Sequence, residues 1–128
     1  MSKPKVVKCR ILVVDDEPLV GDAVKMMLTH DGHVVETATN GADALACLEQ
    51  AAFDLVITDY FMPEMKGDEL ARRIQQRHPD LPIVLITAHE ENLKAQRTPL
   101  PGVSSVISKP FLIDDLRAAI RQTVAARR

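Results

Sequence analysis

The sequence predicts an α/β protein built from five consecutive strand-helix units, (βα)5, with one doubly wound parallel sheet. Three observations carry that expectation. Five short runs rich in β-branched residues recur along the chain, at Ile11–Val14, His33–Thr37, Leu55–Thr58, Ile83–Ile86 and Ser105–Ser108. Four of them are nearly continuous in apolar character rather than alternating, the pattern of strands covered on both faces. Helical patterns separate them, so the strands must be joined by right-handed crossovers that place helices on both sides of the sheet.

The elements follow in order. After the first run, Asp16-Glu17-Pro18 offers a carboxylate cap and a proline in the first turn; Val20, Val24, Met27 and Leu28 then recur at helical spacing until Gly32 stops the pattern. Asn40-Gly41 opens a second helix with Ala44, Leu45 and Leu48 on one side, and Leu70 and Ile74 stripe a third that ends before His78-Pro79. The fourth is expected to be short or irregular, because Thr98-Pro99-Leu100-Pro101-Gly102 forbids continuation beyond one or two turns. In the last, Asp114 and Asp115 occupy the first turn, Leu112, Leu116, Ile120 and Val124 repeat every four residues, and Arg127-Arg128 complement the dipole.

Composition removes several function classes. The 128 residues carry 16 Lys+Arg against 18 Asp+Glu, a formal charge of −2, which gives no general electrostatic case for nucleic acid or an anionic membrane. Aromatics are 3%, namely Phe53, Tyr60, Phe61 and Phe111, too few for a base-stacking platform. Cys9 and Cys47 lie far apart with no CxxC or Cys/His cluster, against a zinc site or disulfide scaffold, and both are expected in the core. His30, His33 and His78 are expected to be exposed or capping. The apolar run after the basic N-terminus is too short for a signal peptide, and no run approaches the ~20 residues needed to cross a bilayer. A cytoplasmic location is expected.

Function is carried by what stands at the strand ends: Asp15-Asp16-Glu17 after the first, Asp59 after the third, Thr87 after the fourth and Lys109 after the fifth. In an open α/β sheet the ligand crevice lies outside these carboxyl ends. Two carboxylates about 4 Å apart repel by roughly 4 kcal/mol at an effective dielectric of 20, and one lysine cannot offset three such pairs. A cation is therefore expected, and an all-oxygen donor set with room for water and an anion suits Mg²⁺, or Mn²⁺, better than Zn²⁺. A divalent ion beside a carboxylate nucleophile, a hydroxyl and a lysine is equipment for phosphoryl transfer. Taken singly, each residue also has a structural reading: a helix cap for Asp15 or Asp16, a turn residue for Asp59, a strand-end hydroxyl for Thr87 and a solvated charge for Lys109.

With the acidic pair Asp15-Asp16, Asp59 in DYFMPEMKG, Thr87-Ala88 and Lys109-Pro110-Phe111 in that order, the chain resembles the CheY-like receiver domain of two-component response regulators. The resemblance covers a single domain, residues 1–128 with a core of about 9–126, with no output domain in this chain. It implies the flavodoxin-like strand order 2-1-3-4-5, which general accounts of doubly wound folds give for a member of this family. It implies that Asp59 is the phosphoacceptor, taking a phosphoryl group from a histidine of a kinase or phosphotransfer protein. Asp16 and Asp59 would ligate Mg²⁺ with the backbone carbonyl of Phe61, Asp15 would hold the ion through water, and Thr87 and Lys109 would grip the phosphoryl oxygens. Lys109-Pro110 would be cis. Phe61 and His89 would flank the phosphorylation site and tune phosphate lifetime. The protein would act as a signalling switch on an unidentified downstream protein, with homodimerisation open, and not as an enzyme in the ordinary sense.

Departures from the family pattern are local. Val106 stands where an aromatic switch residue is usual, so signal transmission is expected to take another route, through the Pro99–Pro101 segment. Lys66 replaces a frequent acidic residue at an exposed turn, which leaves the site intact. Two rivals stand beside this reading: a Mg²⁺-dependent phosphohydrolase, disfavoured by Phe61 where a second catalytic Asp is expected, and a receiver-like binding module that is never phosphorylated.

Overall fold

In the computed structural model, residues 8–88 and 102–127 are described. They form strands β1 (Arg10–Val14), β2 (Val34–Ala38), β3 (Leu55–Asp59), β4 (Ile83–Thr87) and β5 (Ser105–Ser108), with helices α1 (Pro18–His30), α2 (Gly41–Gln50), α3 (Gly67–Arg77) and α4 (Ile113–Arg127). The strands are parallel throughout, in the order β2-β1-β3-β4-β5. The expected fold and strand order are thus observed. The expected irregular helix, His89 and the Pro99–Pro101 segment lie outside the described residues.

Period-two geometry explains why the strand runs are continuous. Ile11, Val13, Leu55, Ile57, Val84, Ile86 and Ile107 face one layer with Val24 and Leu28 of α1 and Leu116, Ala119 and Ile120 of α4. Leu12, Val14, Val56 and Ile83 face the other with Ala44 and Leu48 of α2 and Leu70, Ala71 and Ile74 of α3. A strand between two helical layers has no solvent side, so polar alternation disappears.

Helix ends follow local chemistry, with two corrections. Asn40 caps α2 by accepting from the Asp43 N–H at 2.8 Å, and Gly32 takes the left-handed conformation (φ 99°) that ends α1. The carboxylate cap expected for α1 does not form: Glu17 stands at the cap position with no side-chain cap bond, and its N–H donates to Asp15 Oδ1 at 2.9 Å. Leu112 does not belong to the α4 stripe. It precedes the helix, is 72% exposed, and donates its N–H to Asp115 Oδ2 at 3.0 Å.

His33, expected at the surface or at a cap, is buried, and its Nδ1 accepts the Cys9 N–H at 3.1 Å just before β1. Burial lowers its pKa below 6.5, partly opposed by the charge of Asp31. A base whose folded pKa lies below its unfolded value resists protonation in the native state. The stability it contributes is full above the unfolded value and is lost as pH falls through 6.5 toward the folded value. Thermal unfolding followed between pH 7.5 and 5 should therefore show a decline, with a slope of at most about 1.4 kcal/mol per pH unit, that flattens in His33→Gln. Parallel profiles for the two proteins would contradict the assignment.

Candidate functional site

The order β2-β1-β3 means that the chain leaves β2 and crosses to the other side of β1, so the strand order reverses between β1 and β3. Such a switch point opens a crevice at the carboxyl ends of the strands. Asp59 is the last residue of β3, paired in register with Ile86, and Thr87 is the last residue of β4, paired with Ser108. Both sit inside the ladder rather than just beyond it, which fixes their backbones more firmly than loop positions would.

Asp15, Asp16 and Asp59 each bring a carboxylate oxygen within 4.8 Å of the others'. Asp15 is buried, with its N–H donating to Ala38 O at 3.0 Å and its Oδ1 accepting from Glu17 N–H. Asp59 is buried too, and Lys109 Nζ lies 3.1 Å from its Oδ1. Lys109 is placed by its own N–H, which donates to Thr87 O at 2.6 Å, and the Lys109-Pro110 bond is cis as expected.

The electrostatics are those of an anion cluster with too little positive charge. Burial pushes the Asp59 pKa up; the Lys109 hydrogen bond and charge pull it down, and Asp15 and Asp16 push it up again, leaving it raised. Asp15 is raised by burial, against the Glu17 N–H and Lys109. For Lys109 burial acts downward, but the hydrogen bond and charge of Asp59, with Asp15 and Glu17, outweigh it and raise the value. The three carboxylates are an all-oxygen set suited to Mg²⁺.

Thr87 is fully buried, and its Oγ1 has no hydrogen-bond partner among the described residues. A buried hydroxyl without a partner costs about 1–3 kcal/mol, so its presence points to a ligand oxygen arriving there. Thr87→Val keeps the shape and removes the orphan. The variant is expected to unfold at higher urea concentration, gaining about 1 kcal/mol; an equal or lower midpoint would mean that the hydroxyl is already satisfied.

The backbone after Asp59 folds back on the strand. The Tyr60 N–H donates to Ile86 O at 2.8 Å and the Gly67 N–H to Tyr60 O at 2.7 Å. Phe61, whose carbonyl was expected to serve the metal, is 61% exposed as a residue. Val106 is half-buried in β5, opposite Leu85. Three contributors were missed from the sequence: the Glu17 amide, which orients Asp15; Gly67, which lets α3 approach Asp59; and the Lys66 ammonium, over the rings of Tyr60 and Phe61. The acidic motif and its glycine were visible, but the contacts depend on how the loop closes.

Comparisons with known proteins agree with this geometry. The family model described as the response regulator receiver domain matches residues 11–121. The probable transcriptional regulatory protein TcrX of Mycobacterium tuberculosis is 34% identical over 119 residues, 88% of this chain and 50% of that protein. The sensor histidine kinase RcsC of Salmonella typhi is 39% identical over 115 residues, 90% of this chain and 12% of the kinase. The chain thus spans half or less of the length of these relatives. Among solved structures, a response regulator receiver domain protein from Clostridium thermocellum superposes with a TM-score of 0.86 at 29% identity, covering 92% of this chain and 95% of that one. The response regulator TrrA of Thermotoga maritima, solved in complex with Mg²⁺-BeF, gives 0.78 at 33% identity, covering 91% and 99%.

Proposed function

The chain belongs to the response regulator receiver domain family, and from that premise we propose that it is the phospho-accepting element of a two-component phosphorelay, with Asp59 as acceptor. The observation that carries this reading is the convergence at one sheet edge of buried Asp59, Lys109 Nζ 3.1 Å away, two further carboxylates and the unpartnered Thr87 hydroxyl. Asp15, Asp16 and Asp59, with the carbonyl of Phe61, would hold Mg²⁺; the three clustered carboxylates and their unbalanced charge fit that ion. When bound, Mg²⁺ supplies the positive charge that lets a phosphoryl group approach this anionic pocket.

A carboxylate oxygen of Asp59 attacks phosphorus of a phosphohistidine on a kinase or phosphotransfer protein. The phosphorus–nitrogen bond breaks with its electron pair left on the imidazole, and an acyl phosphate forms on Asp59. Lys109, freed from Asp59 Oδ1, takes one phosphoryl oxygen, and the Thr87 hydroxyl donates to another, so two groups already poised in the resting site stabilise the developing charge. The β3 ladder holds the nucleophile still meanwhile. The modified domain then presents a changed surface to a downstream protein; with Val106 in place of an aromatic ring, that change must travel without a ring swinging inward. Phe61 and His89 would adjust how water reaches the acyl phosphate.

Incubation with a small phosphoryl donor such as acetyl phosphate and Mg²⁺ tests the reading. One equivalent of hydroxylamine-labile phosphate, not formed when Mg²⁺ is chelated beforehand, is the expected result. No incorporation, or repeated turnover of phosphoesters, would overturn it in favour of a binding module or a hydrolase respectively.

A further inference from the structure

The Lys66 side chain departs from the minor, exposed-turn role that its position suggests. Its ammonium lies 5.9 Å from the ring centroid of Tyr60 and 5.5 Å from that of Phe61. Both fall inside the ~6 Å over which a cation is attracted to an aromatic face. These are the two residues directly after Asp59 in the chain. Lys66 occupies the cap position of α3 but makes no side-chain cap bond, so its stem is not committed to the helix start.

The loop between is tightly closed. The Gly67 N–H reaches Tyr60 O at 2.7 Å and the Met65 N–H reaches Pro63 O at 2.7 Å, around Glu64 with φ 69°. One limb carries the Phe61 carbonyl and the other carries Lys66. Phe61 is 61% exposed and belongs to neither core cluster, so the core does not set its orientation.

We propose that Lys66 is a positioning residue for the divalent cation: by bridging the rings of Tyr60 and Phe61 it steadies the limb that carries the Phe61 carbonyl. The proposal rests on the reading that Mg²⁺ binds at Asp15, Asp16, Asp59 and that carbonyl. It makes a prediction opposite in sign to the obvious alternative. A lysine acting through its charge alone would repel a second cation entering the neighbouring pocket, so removing it would tighten Mg²⁺ binding. A lysine acting as a clamp would weaken binding when removed.

Calorimetric titration of the unphosphorylated chain with Mg²⁺ separates the two. Lys66→Met and Lys66→Gln, which keep a long side chain but lose the charge, are expected to weaken Mg²⁺ binding by about two- to fivefold, and Lys66→Arg, which keeps the cation over the rings, to bind as the parent does. Without Mg²⁺, Lys66→Arg should melt as the parent does and the Met and Gln variants only slightly lower, since they lose the ring contacts but no cap bond. Unchanged or tighter binding in both Met and Gln variants would overturn the clamp. If the parent protein takes up no Mg²⁺, the metal reading itself fails, and this is seen before any variant is made.

Discussion

Asp59→Asn should abolish covalent labelling by acetyl phosphate while leaving the unphosphorylated domain at least as stable as the parent in Mg²⁺-free buffer. The first half follows from chemistry: a carboxamide oxygen is a poor nucleophile, and no neighbouring carboxylate is anchored in its place. The second follows from charge. Carboxylate oxygens within 4.8 Å of one another repel by roughly 3.5 kcal/mol or more per pair at an effective dielectric of 20, and Asp59 has two such neighbours. The attraction to Lys109 at 3.1 Å is worth roughly 5.4 kcal/mol on the same scale. It must be discounted, because the lysine side chain is 39% exposed and solvent screens it. The repulsion from Asp16, which is not buried, is screened as well, so burial of the carboxylate is the largest influence; together with the two like charges it outweighs the screened lysine. Phosphate incorporation and urea midpoints check the two halves separately. Residual labelling at one equivalent would place the acceptor elsewhere, and a stability loss above about 1 kcal/mol would show that the Lys109 pair dominates.

How much of this was legible beforehand depended on whether the signal was local. The continuous runs Ile11–Val14 and Ile83–Ile86 announce doubly covered strands because the cause, helices on both faces, acts on every residue of the strand. The site residues were legible for a related reason: the carboxyl edge gathers whatever each strand ends on, so Asp15, Asp16, Asp59, Thr87 and Lys109 could be grouped without distances. His33 was not legible. Its partner is the Cys9 N–H, 24 positions away, and a histidine beside two valines reads equally well as an exposed strand start. Leu112 failed for the converse reason. It fits a four-residue repeat, but the Asp115 carboxylate takes its N–H and the helix begins one residue later. Lys66 looked incidental because its contacts with Tyr60 and Phe61 exist only once the loop has closed.

Gly67→Ala should be the most disruptive small substitution at the site. A methyl built on Gly67 would lie 2.5 Å from Asp59 O, 2.6 Å from Leu85 Cδ1 and 2.9 Å from Tyr60 Cα. Leu85 is fully buried in β4, beside β3, and the other two atoms are backbone, so no flexible side-chain end can move aside cheaply. Overpacking of this kind costs about 1–3 kcal/mol, and immobile backbone neighbours put Gly67 at the top of that range. Gly32→Ala is the informative control. Nothing lies within 4 Å of a methyl there, but φ is 99°, so its cost is backbone strain alone, about 1 kcal/mol. Gly67→Ala should therefore lower the urea midpoint more than Gly32→Ala. It should also do something that Gly32→Ala cannot. The displaced atoms include the carbonyl of Asp59, the proposed acceptor, and the Cα after it, so relief of the clash shifts Asp59 relative to Lys109 and should slow phosphate incorporation under conditions where the protein remains folded. Equal urea midpoints for the two variants would show that α3 withdraws from the strand without cost. A normal labelling rate in Gly67→Ala would show that the β3 ladder holds Asp59 in place against that pressure.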